Sequence, residues 1–190
     1  MEHMLNPLYH KKQSIEQMQQ GWKKEPNFPH VMLTKIFTSK FFNKKSKEVK
    51  KLFYRRESQP DSFSYATAKA TSLHIFDQKE LHERISNIIQ RKVQGILGEA
   101  YYYSWKDFTV INKKTEKKSA VDIIIDFTEE WKEEYGGSIM YKNNKGQYIK
   151  FLSAPNSMII IERKNTQKYI QYINNFSKGK KRYLLIGTVK

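Results

Sequence analysis

The sequence predicts an α+β domain, with helices packed on one face of an antiparallel sheet or sandwich. Two observations carry that expectation. Helical periodicity is confined to the first hundred of the 190 residues, and about seven short β-rich runs follow it, separated by charged or Gly-containing turns. No internal repeat breaks this order. The length suits one domain that can bury a substantial core.

The first 25 residues read as an extension holding one helix, Ser14 to Trp22, closed by Gly21 and the Lys23-Lys24 pair. Residues 26–190 read as the domain proper. After the prolines of PNFPHVMLTKIF, the apolar positions Val31, Leu33 and Ile36 suggest a strand. Ser39 is expected to cap a helix reaching about Tyr54, with Phe41, Phe42, Val49, Leu52 and Phe53 toward one side. Lys44, Lys45, Lys47, Lys50 and Lys51 fall on the other. ESQPDSFSYAT is turn material leading into an extended stretch. The strongest helical pattern starts at Asp77, where Glu80 completes a capping box and Phe76 is placed to staple onto Leu81. Its period runs through Ile85, Ile88, Ile89, Lys92 and Ile96 to Leu97, with Gly98 as a natural stop. The runs AYYYSWKDFTVI, SAVDIIIDF, GGSIMYK, GQYIKFL, SMIIIERK, KYIQYI and RYLLIGTVK then supply the strands.

Composition narrows the function classes. The apolar share is 38%, with 12 Tyr and 11 Phe, so a packed interior is expected and disorder throughout is not. Cysteine is absent, which excludes disulfides, thiolate nucleophiles and sulfur-based zinc sites. The formal charge of +16 raises the local concentration of anionic partners such as nucleic acid, acidic lipid or acidic protein. Abundant Lys, Asn, Ile and Tyr offer a rival explanation, a compositional bias without a binding role. No apolar run approaches the ~20 residues needed to cross a bilayer. The opening stretch lacks the apolar core of a secretory signal and is a poor match to a mitochondrial transit peptide, so an intracellular chain is expected.

Four pieces in order resemble the prolyl-hydroxylase-like branch of the Fe(II)- and 2-oxoglutarate-dependent oxygenases. They are NFPHVMLTKIF, IIIDFTEEWKEEYGGSIMY, APNSMIII and GKKRYLLIG, and the likeness spans about Pro26 to Val189. It implies a double-stranded β-helix (jelly roll) with N-terminal supporting helices. In that family a facial triad, His-x-Asp and a distant His, holds the iron. Laying Asp107-Phe108 on the family pattern puts Asn112 at the first His, Lys114 at the Asp and Ile170 at the distant His. The Arg that anchors the co-substrate carboxylate falls at Arg182. These three positions are therefore degenerate, and Arg182 alone keeps the family's residue as a residual anion- or co-substrate-binding group. A salt bridge from Arg182 to Asp122 or Asp126 is the competing reading.

The histidines make the same point without alignment. All five lie at positions 3, 10, 30, 74 and 82, outside the β-rich half where a jelly-roll metal site is built. Carboxylates alone favour Mg, Mn or Ca over Fe(II). No metal and no cofactor are expected.

His74, Asp77, Glu80 and His82 form a candidate replacement cluster, but helix capping explains the acids without a ligand. His30 is expected to be structural. SKGKKR, residues 177 to 182, lacks P-loop glycine spacing and reads as a basic hairpin. Asp122 and Asp126 are four apart on a strand and so share a face, as acid/base partners or as a solvated or lysine-lined pair. KKSKEVKK, NKKTEKK and SKGKKR could follow a phosphate backbone, with Tyr101, Tyr102, Tyr103 and Trp105 for stacking, provided that they share a surface.

Taken together, the resemblance and the missing ligands predict a pseudoenzyme, a non-catalytic accessory subunit bound to other protein subunits of a large complex. The resemblance permits a mitochondrial inner-membrane respiratory assembly, with the N-terminal stretch and Trp22 as a docking arm. An active oxygenase and a basic nucleic-acid-binding module are the alternatives.

Overall fold

The computed structural model describes residues 4–110 and 119–190. Among the described residues, eleven strands and three α-helices make an α+β fold of two curled antiparallel sheets with the helices on one outer face. The large sheet runs β1 (His30–Thr34), β9 (Ser157–Arg163), β6 (Ala120–Asp126), β11 (Arg182–Val189), β4 (Ile96–Tyr103), β3 (Phe63–Lys69) and β2 (Arg55–Gln59), and β5 (Phe108–Thr109) also pairs with β3. The small sheet is β10 (Thr166–Ile170), β7 (Ile139–Asn143) and β8 (Tyr148–Phe151). All seven β-rich runs of the second half form strands.

The central strands β6 and β9 are buried on both faces, so they read as near-continuous apolar runs. On β6, Val121, Ile123 and Ile125 pack toward the helices with Met158, Ile160 and Leu185. Ile124 faces the small sheet and joins Ile159, Ile161, Leu184, Ile139, Tyr141, Phe151 and Ile170 in a second core. The period of two places Asp122 and Asp126 on that inner face beside Ile124. Two opposed sheets closing around an apolar and charged interior make the half-barrel of a jelly roll.

The helices differ from their sequence outlines in instructive ways. α1 spans Lys12–Lys24 and carries Gly21 inside it. It packs on α3, its Met18 and Trp22 are buried, and Leu5 bridges to Phe37. Trp22 is thus a core residue and is not exposed for docking. α2 spans Ser39–Lys50 and is capped by the Thr38 hydroxyl, which accepts from the Phe41 amide, so the cap lies one residue before Ser39. Phe53, expected on the apolar side of that helix, is 92% exposed in the turn after it.

α3 (Lys79–Ile89) departs furthest. Its N-cap is Gln78, with no side-chain cap bond, so the Asp77–Glu80 capping box does not form. Gln90 adopts a left-handed conformation and ends the helix, and Ile96 and Leu97 belong to β4. The helical period continues by chance into a strand because alternate β positions also recur at four-residue spacing. Gly98 is not a helix stop. It pairs with Gly187 on β11, and the Phe76 ring lies over the pair. A Cβ at Gly98 would meet a Phe76 ring carbon at 2.3 Å and the Ile186 carbonyl oxygen at 2.5 Å.

Because the second obstacle is backbone, it cannot move aside. Gly98→Ala is expected to destabilise the domain by about 1–3 kcal/mol, measured by chemical denaturation. Gly95→Ala, whose Cβ would meet nothing within 4 Å, serves as the control.

Candidate functional site: the barrel interior

Two ionic clusters occupy the inner face of the large sheet. At the first, Arg182 at the start of β11 is completely buried. One terminal nitrogen donates to Asp126 Oδ2 at 3.2 Å and the other to the Gly137 carbonyl oxygen. Asp126 is satisfied further by the Thr128 amide at 2.8 Å, the Ser153 hydroxyl at 2.8 Å and the Ala154 amide at 3.3 Å. The Gly136-Gly137 pair makes this approach feasible. Both residues have positive φ, and a Cβ on Gly136 would lie 2.1 Å from the Tyr172 carbonyl oxygen. Only glycine lets that chain pass so close. The Trp131 indole donates to the Gly136 carbonyl at 2.9 Å and holds the turn.

The second cluster surrounds Asp122, also fully buried. Its carboxylate meets Arg163 Nε at 3.0 Å and Lys168 Nζ at 3.3 Å, and accepts from the Tyr141 hydroxyl at 2.8 Å and the Thr188 hydroxyl at 3.1 Å. Burial alone would raise the Asp122 carboxyl, but Lys168, Arg163 and the two hydroxyl donors outweigh it and hold the group below its ordinary value. Burial, reinforced by Asp122, pushes the Tyr141 phenol well above its own. Asp122 and Asp126 therefore share a face but not a site. Each carboxylate faces cations rather than the other acid, so neither is arranged as an acid/base partner.

Between the sheets lies a cavity of about 730 Å³, walled by residues that include Phe63, Tyr65, Tyr101, Tyr103, Lys168 and Ile170. Tyr101 and Tyr103 stack at 6.3 Å on this inner side, whereas Tyr102 points to the opposite face with Tyr54 and Tyr183. β10 presents Lys168 and Ile170 to the cavity. Ile170 is buried, and its amide donates to the Thr109 hydroxyl at 2.7 Å. Arg182 is not among the described lining residues, although its charge is felt by the buried Tyr103 phenol.

Asn112 and Lys114 lie outside the described residues, as does the basic run NKKTEKK. Among the described residues, no group of three or more acids and histidines could hold a metal ion. His74 pairs with Asp77 at 3.4 Å, Glu80 with His10 at 3.0 Å, and the His82 ring contacts the Phe76 carbonyl at 2.5 Å, so that candidate cluster disperses. His30 bonds the Phe28 carbonyl at 2.7 Å and sets its ring edge on Phe151, a structural role as expected.

Comparison with solved structures decides the architecture. A prolyl-4-hydroxylase from Pseudomonas putida superimposes with a TM-score of 0.70 over 91% of this chain and 98% of that one, at 9% identity. A 2OG-Fe(II) oxygenase family oxidoreductase from Burkholderia pseudomallei gives 0.72 over 95% and 92%, at 7% identity. The fold is that of the 2-oxoglutarate oxygenases. A Trichoplax adhaerens prolyl hydroxylase, solved with a peptide fragment of a hypoxia-inducible factor oxygen degradation domain, matches this oxygenase fold at 0.68 over 93% and 90%, with 10% identity. No protein-family model and no curated protein matches the chain. At such identities the likeness establishes the oxygenase fold alone.

The described residues do not fit an iron held by two imidazoles and a carboxylate. The strand assigned to the distant ligand presents an aliphatic side chain and an ammonium, the buried Asp122 is already neutralised by two cations, and Asp61, which lines the cavity, belongs to no group that could hold a metal.

Sequence reasoning missed Lys168 and Arg163 as partners of Asp122, because nothing local marks a lysine as inward-facing. It also missed Asp107, used only as an alignment anchor. Asp107 is a buried hub that accepts from Arg56 (2.8 Å from one of its nitrogens), Ser64 at 2.7 Å and the Ser104 amide at 2.7 Å. A lone Asp two residues past a Trp carries no signal of that role.

Linkage turns the Asp122 cluster into a pH expectation. A carboxyl depressed in the folded state contributes stability above its unfolded value, about 3.9, and loses it as pH falls toward the folded value. Asp122→Asn is expected to flatten the acid limb of stability against pH. It should also cost about 3 kcal/mol at neutral pH by leaving Arg163 and Lys168 facing a neutral group. Urea titrations between pH 3 and 7 read both effects.

Proposed function

We propose that this protein is a non-catalytic member of the oxygenase fold, retained as an accessory subunit of a larger protein assembly. The observation that carries the reading is the condition of Arg182. In the position that the resemblance assigns to co-substrate anchoring, its guanidinium is sealed from solvent and committed to Asp126 and the Gly137 carbonyl. A carboxylate ligand entering there would have to displace a buried ion pair, which costs several kcal/mol. Ile170 supports the same reading, since it has no lone pair to offer a metal. Asn112 and Lys114 complete it by residue type, the lysine adding a positive charge where a ligand acid is needed. A fold keeps its shape for other molecules after its chemistry is gone, and fold by itself does not license an activity.

One observation favours a second reading. Arg182 Nε is buried without a hydrogen-bond partner, and the cavity is large enough for a small acid. An oxygenase that rearranges on loading would use both.

Calorimetry with 2-oxoglutarate and Mn(II) as the iron surrogate separates the two. No saturable heat up to millimolar ligand, together with no 2-oxoglutarate decarboxylation when Fe(II) and ascorbate are supplied, is expected. Saturable binding that is abolished by Arg182→Met would overturn the proposal. For the accessory role, isolation from the native source is expected to yield a stoichiometric complex, and co-isolated respiratory subunits would assign the mitochondrial setting. A monomeric protein with no stable partner would remove the role.

A further inference from the structure

Two of the basic runs, distant in sequence, meet on one surface. α2 and its C-cap residue present Lys44, Lys47 and Lys51 at i, i+3 and i+7, a single exposed stripe on the side away from the buried Phe42, Ser46 and Val49. The turn before β11 presents Lys178, Lys180 and Lys181. Between them is a shallow groove of about 410 Å³, walled by Lys50 on one side and by Lys180 and Lys181 on the other, with Tyr183 at its base. Two acids sit in this groove, and both are already answered. Glu129 pairs with Lys50 at 2.8 Å and accepts from Ser46, and Glu130 pairs with Lys180 at 2.9 Å. Lys47, Lys51 and Lys181 make no ion pair within 4 Å among the described residues; Lys47 acts on Glu129 only at longer range, and Lys181 lies over the Tyr102 ring.

Aromatic groups join the two rims. The Tyr54 ring meets Tyr102 edge-on at 4.9 Å and Tyr183 at 6.1 Å, and Lys181 lies 4.3 Å over the Tyr102 ring. Immediately after the lysine stripe, Phe53 projects with 92% of its surface exposed. An exposed aromatic ring two residues beyond a row of exposed lysines is placed for a partner that is both anionic and planar.

We infer that this groove binds single-stranded nucleic acid, with the lysines of α2 and of the turn before β11 tracking phosphates and Phe53 stacking on a base. Cations on two rims favour a linear polyanion lying between them over a flat lipid surface, and one exposed ring suits a base better than a bilayer, where several would be needed. This inference is independent of whether the barrel binds a metal.

The test must separate this groove from the general attraction of a +16 chain. Fluorescence anisotropy with labelled dT20 and U20 across a salt series compares two triple variants of equal charge change. Lys47→Glu/Lys51→Glu/Lys181→Glu is expected to weaken binding by tenfold or more and to reduce the log–log salt slope by about two, at roughly 0.7 per lost contact. Lys11→Glu/Lys23→Glu/Lys24→Glu, on and beside α1, is expected to change affinity less than threefold. Phe53→Ala is expected to weaken binding about tenfold with the slope unchanged. Equal losses from the two triples would overturn the inference, as would binding to phosphatidylserine vesicles without binding to either oligonucleotide. Unchanged melting of each variant confirms that surface charge, not folding, was altered.

Discussion

The burial of two carboxylates and a guanidinium between the sheets constrains everything around them. An isolated ion in such a place costs several kcal/mol, so each needs a partner of opposite sign at hydrogen-bond distance. Those partners come from separate elements. Asp126 on β6 meets Arg182 on β11, and Arg182 reaches the Gly137 carbonyl at the entry to β7. Asp122 on β6 meets Arg163 on β9, Lys168 on β10, Tyr141 on β7 and Thr188 on β11. The two sheets are thereby tied at both ends of one strand. A slip of β6 by one residue would turn both acids toward the helices, into a layer of Leu, Ile and Phe that offers no cation. The pairs need add little net stability to perform this service. What they supply is a single register among the many that an isoleucine-rich strand would otherwise accept.

How much of this was legible in the sequence depends on how local each cause is. The strands were, since IIID and MIIIER declare themselves by composition and length. The order of pieces from NFPHVML to RYLLIG was enough to indicate a jelly roll. The Arg182 salt bridge was visible as one of two options, because a lone arginine opening an apolar strand needs an acid and β6 holds two. The caps were less legible. Thr38 and Ser39 are equally good N-cap residues, and only the backbone decides between them. The overlong α3 failed because Ile96 fits a helical and a strand period alike, while Gln90, which ends the helix, has no turn signature. The role of Gly98 was hidden altogether, since its constraints are a phenylalanine 22 residues earlier in the chain and the backbone of β11.

For function, the interior and the exterior speak differently. Inside, among the described residues, Ile170 packs as an aliphatic side chain and Arg182 is paired with Asp126. Outside, the lysines of α2 and of the turn before β11 keep most of their charge exposed. The two carboxylates between them are paired with Lys50 and Lys180.

The place of β11 has a consequence for how the chain comes to be folded. It lies between β6 and β4, with full ladders to both. Until residues 182–189 have left the ribosome, the large sheet exists only as two unconnected halves, β1-β9-β6 and β4-β3-β2, each with an open edge of unpaired amides. Asp126 meanwhile waits without its guanidinium. The large sheet therefore closes only when β11 docks, and its two halves keep aggregation-prone open edges until that step.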